Sequence, residues 1–170
     1  MRRAPLAVRD ASGFTLIELL IVLAIVGILG GVLSLVLYQL LDVPRLGGAQ
    51  MAVDSDLRNT GLWLARDGNE AWQFVAGTPP VYGTFYITHT GGITVTTTYR
   101  YDSTHETMWR DYQTATESRT TGVARHVAQG SDVTFATSGD IVAVTLTATS
   151  GTGRNRVTSS QVYTVTMRVR

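Results

Sequence analysis

Glu18 is the ionisable side chain whose setting most calls for chemistry. It opens a run, residues 19–41, that contains no charged residue. Keeping a carboxylate charged at the edge of an apolar phase costs on the order of a few kcal/mol, so a glutamate there points to a role. The other reactive residue types do not converge on a reaction centre. His89, His105 and His126 are far apart, and none stands in an H-x-x-x-H pattern or beside carboxylates at metal spacing. They read as exposed or structural residues. Ser12 and the later serines lack a G-x-S-x-G elbow. The chain has no cysteine, which excludes disulfides, thiolate metal sites and a cysteine nucleophile and fits a reducing or an oxidising compartment equally. Asp102, Glu106, Asp111 and Glu117 are scattered and match no calcium loop. The residues therefore give no reason to expect a catalytic group, a metal or a cofactor, and the chain reads as a non-enzyme.

The element that positions Glu18 is an apolar helix. At ~1.5 Å per residue, residues 19–41 make roughly 35 Å, enough for a bilayer core of about 30 Å. Arg2, Arg3 and Arg9 against Asp10 precede it. The basic side of a membrane segment stays cytoplasmic, so the N-terminus is expected inside and the rest of the chain outside. Gly27, Gly30 and Gly31 either let neighbouring helices approach closely or loosen the helix. Asp42 marks the expected water boundary, Pro44 a break or kink, and Gly47-Gly48 another soft point.

The remaining chain is long enough for a small core of its own. With 170 residues in all, one modest domain plus the helix is expected, and the formal net charge of +1 gives no general attraction to nucleic acid. Ala49, Val53, Leu57 and Leu64, with Thr60 and Gly61, form a helical stripe; Asp54, Asp56, Arg58 and Asn59 fall off it, and Asp54, Asp56 and Arg58 read as a solvated face. Gly68 reads as a helix stop, with Arg66 well placed near the C-terminal end. Beyond residue 70 the period becomes two, and Thr, Val and Tyr are dense. Strands are expected over 72–76, 81–88, 93–101, 107–112, 132–137, 141–149 and 157–169. Residues 113–122 read as a polar loop, 122–128 as a short strand or helical turn, and 150–155 as a flexible hairpin tip. Trp63, Trp72 and Trp109 read as core or interface aromatics, with a partner-binding patch as the less favoured reading. A helix followed by a mainly antiparallel sheet gives an α+β class.

Gly13 followed by FTLIELLIVLAIVGIL resembles the N-terminus of type IV prepilins and of type II secretion pseudopilins. The resemblance implies a leader, residues 1–13, cut after Gly13 by an inner-membrane prepilin peptidase, with N-methylation of the new N-terminal Phe14. It implies that Glu18, fifth after the cut, is the assembly glutamate. A secretory signal peptide is instead cut after its apolar core. The pilin fold then implies an assembly helix over 14–41 that crosses the membrane, an extracytoplasmic half over 42–70 and a β-rich domain over 71–170. Cleavage creates a charged amine on Phe14, and in a staggered assembly Glu18 of one subunit can reach that amine on another. A close pair offsets much of the cost of desolvating both charges and fixes axial register. The competing account is a glutamate that snorkels to the interface and does nothing more.

Residues 56–67, DLRNTGLWLARD, with Asn69-Glu70-Ala71, loosely resemble minor pilins of the W type and pseudopilins of the J type. So do Thr98-Tyr-Arg-Tyr-Asp102 and Met108-Trp109-Arg110, although many minor pilins carry cysteine pairs that this chain lacks. The resemblance implies as partners other pilins, the prepilin peptidase, an inner-membrane assembly platform and the lipid bilayer. It implies a protein held in the inner membrane and then moved into a filament. Two functions compete: a structural filament subunit, and a pilin-like tip module that binds a surface or, in DNA uptake, nucleic acid. Clustered surface arginines and aromatics with salt-dependent DNA binding would favour the second.

Overall fold

The computed structural model describes residues 15–89 and 91–168, without the side chains of residues 42 and 43. The expected leader, Gly13 and Phe14 lie outside the described residues. Two compact units are present, residues 1–42 and 43–170. One helix, α1 (Leu16–Glu70), contributes to both.

In the first unit α1 is apolar all round. Every residue from 16 to 41 is exposed, and α1 is long and apolar enough to cross a membrane. Open space surrounds Gly27, Gly30 and Gly31.

The second unit joins the rest of α1 to two antiparallel sheets. The first is a five-stranded meander of β1 (Ala71–Ala76), β2 (Val81–Thr88), β3 (Thr94–Asp102), β4 (Thr107–Gln113) and β5 (Ser118–Ala124). The second holds β6 (Val133–Ser138), β7 (Ile141–Ser150) and β8 (Val157–Thr166). Val53, Leu57 and Leu64 of α1 bury one stripe against Phe85, Val95, Tyr99 and Met108 of the first sheet and Val142, Val144, Leu146 and Val165 of the second. Phe135 on β6 ties the sheets together, stacking on Phe74 at 5.7 Å and on Tyr82 at 5.8 Å between ring centroids. The architecture is α+β and pilin-like.

Four expectations change. The strands form two sheets, not one. The helix runs through Pro44, because a proline removes one N–H donor while the turns beside it keep their own bonds. Residues 118–121, expected in the polar loop, join the short strand expected from Gly122 in one strand, paired with β4 from Met108↔Ala124 to Gln113↔Ser118. That strand is polar because it forms a sheet edge, where side chains such as Ser118, Arg119 and Thr120 face water. Gly68 does not stop the helix, which ends at Glu70 and passes directly into β1.

Gly68 serves close packing instead. A Cβ there would lie 2.1 Å from Val165 Cγ1 on β8. Gly48, also helical, has nothing within 4 Å of such a Cβ. Gly68→Ala should destabilise the fold by about 1–3 kcal/mol through overpacking, despite the helix propensity gained. Gly48→Ala should stabilise it by about 0.5–1 kcal/mol. Urea unfolding of the detergent-solubilised chain, followed by circular dichroism, tests both signs.

Candidate functional site

At the start of α1 the apolar run meets its only carboxylate. The Thr15 carbonyl accepts the Leu19 N–H at 3.2 Å, which makes Thr15 the N-cap and Glu18 the third helical residue. The Glu18 N–H donates to Thr15 Oγ1 at 3.3 Å, and the Thr15 N–H donates to Glu18 Oε2 at 3.1 Å. Thr15 Oγ1–H donates to the same Oε2 at 3.0 Å. This reciprocal arrangement is a capping box, and it places a negative charge at the positive end of the helix dipole. Glu18 is therefore not a partnerless carboxylate. Its signal, T-x-x-E directly before an apolar run, was present in the sequence, but attention to the glutamate alone passes over it. The structure brings Glu18 back beside Thr15, the residue that follows Phe14. Both termini of the expected cleavage bond, Gly13 and Phe14, lie outside the described residues.

Two polar locks in the second unit were not legible as such. Asp67 accepts from Arg110 Nε and Nη2, each at 2.6 Å, and from Tyr99 O–H at 2.6 Å. All three residues are buried, and the Arg110 guanidinium lies 4.4 Å from the Trp63 ring centroid. Burial, and then the Asp67 charge, push the Tyr99 hydroxyl well above its ordinary pKa, so it remains a neutral donor. Asp56 accepts from the backbone N–H groups of Arg125 and His126, at 2.7 and 2.8 Å, and pairs with His126 Nδ1 at 2.9 Å. Asn59 donates to the Val123 carbonyl at 2.7 Å. The reading of Asp56 as part of a solvated face is thus corrected; Asp54 and Arg58 are exposed. Asp56 stands three residues after Val53, and Asp67 three after Leu64, so both carboxylates fall on the buried stripe.

The remaining candidates stay apart. His105 is exposed and pairs with Asp102 at 2.6 Å, His126 belongs to the Asp56 lock, and His89 is exposed. His105, then the Thr104 N–H, hold the Asp102 carboxyl below its usual pKa. Among the described residues no set of His, Asp and Glu is placed to hold a metal ion. Trp63 and Trp109 are half-buried, each with an arginine over its ring. Trp72 packs at 6.3 Å from Tyr86.

Residues 8–34 match the model of the prokaryotic N-terminal methylation motif, the prepilin-type signature of type IV pilins and pseudopilins. No curated protein and no solved structure matches the chain. The matched segment contains the capping box, so sequence motif and local geometry converge on the same residues.

The Asp67 lock makes a quantitative prediction. Arg110→Met leaves a buried carboxylate without its cation and should cost about 3–5 kcal/mol in urea unfolding. The double variant Asp67→Leu, Arg110→Met removes both charges and should recover most of that loss. Equal destabilisation by single and double variants would show that packing, not the charge pair, dominates.

Proposed function

We propose that this chain is a minor pilin or pseudopilin: a structural subunit cleaved after Gly13, N-methylated on Phe14 and assembled through α1 into a type IV pilus-like or type II secretion filament. The observation that carries this reading is the methylation motif over residues 8–34, set at the start of a helix exposed and apolar on every side. The motif belongs to structural, non-enzymatic subunits, and we read this chain in the same way. Before assembly the subunit sits in the inner membrane with its N-terminus cytoplasmic and its second unit extracytoplasmic. Its partners are the prepilin peptidase, other pilins and an assembly platform.

Glu18 supports assembly by pairing with the Phe14 amine of a neighbouring subunit. The capping box supplies a sharper test than removal of the side chain. Glu18→Leu deletes charge and cap together, whereas Glu18→Gln keeps a competent capping residue and deletes only the charge. Both variants should insert in the membrane and lose the leader, and both should be depleted from sheared filaments at matched expression. Glu18→Gln that assembles as well as the parent would reduce the glutamate to a helix cap. Intact-mass analysis showing residues 1–13 retained in a peptidase-competent host would reject the processing step.

A further inference from the structure

Three arginines that the proposed function leaves unused lie at one end of the second unit. The β7–β8 hairpin tip, residues 150–156, carries Arg154 and Arg156 and no acid. It folds onto the beginning of that unit's helix. A Cβ built on Gly151 would lie 3.3 Å from Ala49 Cβ and 2.1 Å from the Asn155 carbonyl oxygen. Gly151 also has φ +85°, so space and backbone together require glycine and fix the tip against the helix. Between them is an open cavity of about 390 Å³, lined by Arg45 and Gly48 on the helix side and by Ser150, Thr152 and Asn155 on the tip.

Arg45, Arg154 and Arg156 are exposed. None of their guanidinium groups makes an ion pair or side-chain hydrogen bond among the described residues. Arg66, Arg100, Arg110 and Arg119 instead face carboxylates, and although Arg58, Arg125 and Arg168 also make no ion pair among the described residues, the three are distinguished by their place at the tip and the helix start beside it. Asp42 stands one turn before Arg45 with its side chain outside the described residues, and the next acid after Arg45 is Asp54, about 13 Å further on. Connectivity then bears on what these cations meet. Arg45 follows Leu41, the end of the uncharged run, by four residues, about 6 Å along a helix and at most about 14 Å along any chain. The headgroup layer on each side of a bilayer is about 5–8 Å deep. If residues 19–41 span the membrane, chain connectivity alone keeps Arg45 within about 14 Å of the end of the span, within reach of the headgroup layer.

We propose that Arg154 and Arg156 of the tip, with Arg45 on the helix beside it, bind the phosphates of anionic phospholipid headgroups, docking the β7–β8 tip on the bilayer surface while the subunit is membrane-held. Guanidinium forks suit phosphate oxygens geometrically, and each basic side chain at an anionic surface is worth roughly fivefold in residence there. The proposal rests on the membrane-anchor reading above.

The full chain has no cysteine, so Thr152→Cys gives a single labelling position for an environment-sensitive fluorophore. The labelled protein is reconstituted into vesicles of phosphatidylcholine alone or mixed with phosphatidylglycerol. Blue-shifted emission and several-fold lower accessibility to an aqueous quencher are expected only in the mixed vesicles. Both effects should fade with added salt. The double variant Arg154→Gln, Arg156→Gln should abolish them, and Arg58→Gln, at an exposed helix position away from the tip, should not. Identical signals in the two lipids would overturn the proposal. A shift that ignores lipid charge but grows with protein density would assign the tip to a second copy of the chain, which also overturns it. Failure to insert, read by flotation and alkaline extraction, would reject the anchor reading and this site with it.

Discussion

From residue 16 to residue 41 no part of the described chain covers the helix, and its surface is almost wholly apolar. That uncovered surface is the constraint to which the other features answer. Water would charge a large hydrophobic penalty for it, so the segment needs lipid or other apolar helices around it. A helix satisfies its own backbone hydrogen bonds and can pass between those two surroundings without rearranging. Only its ends need special provision. The Thr15–Glu18 box supplies it at the N-terminal end, satisfying the Thr15 and Glu18 N–H groups where lipid offers no partner.

The second half of the same helix obeys a different rule. Residues 49–70 bury one stripe, and the stripe is not purely apolar: Asp56, Thr60 and Asp67 lie on it. Each carboxylate meets donors fixed by the sheet or its loops, so each is compensated where it stands. A buried ion pair adds little net stability against a hydrophobic alternative. Its effect here is on placement. A shift of α1 by one turn would leave Asp67 without Arg110 and Tyr99, and Asp56 without the Arg125 and His126 N–H groups. Gly61 and Gly68 act in the same sense through shape, allowing Tyr163 and Val165 of β8 to approach the helix. Tyr163 O–H also donates to the Leu57 carbonyl.

Much of this was legible, and the failures share a cause. The alternation of Val95, Thr97 and Tyr99 located a buried strand face, because period two survives wherever one face is core. Residues 118–121 escaped because an edge strand with polar side chains carries its pairing in the backbone, not in its composition. Asp56, Asp67 and Arg110 escaped because burial of a charge depends on a partner distant in sequence. Arg110 shares a strand face with Met108, and its carboxylate lies 43 residues away on the helix. A cationic or anionic residue at an apolar-stripe position was the available signal for such a lock. The match over residues 8–34 carries no information about these features, since it stops before the second unit begins.

The two roles discussed for Glu18, capping and subunit pairing, draw on different oxygens. Oε2 takes the bonds from Thr15, while Oε1 accepts none among the described residues. A carboxylate has lone pairs enough for both tasks. In the proposed processing the cut falls between Gly13 and Phe14, so the peptide bond joining Phe14 to Thr15, and with it the Thr15 N–H, survives. The cap can therefore persist in the processed subunit. Its consequence for pairing is entropic. A free glutamate side chain loses on the order of 1.5–2 kcal/mol of rotamer freedom when it is fixed by a partner. A glutamate already held by its own helix start has surrendered part of that freedom before a neighbour's amine arrives. In the proposed assembly, capping would thereby preorganise the carboxylate for pairing, and the threonine that looks like a spacer in the motif would be the residue that aims the charge.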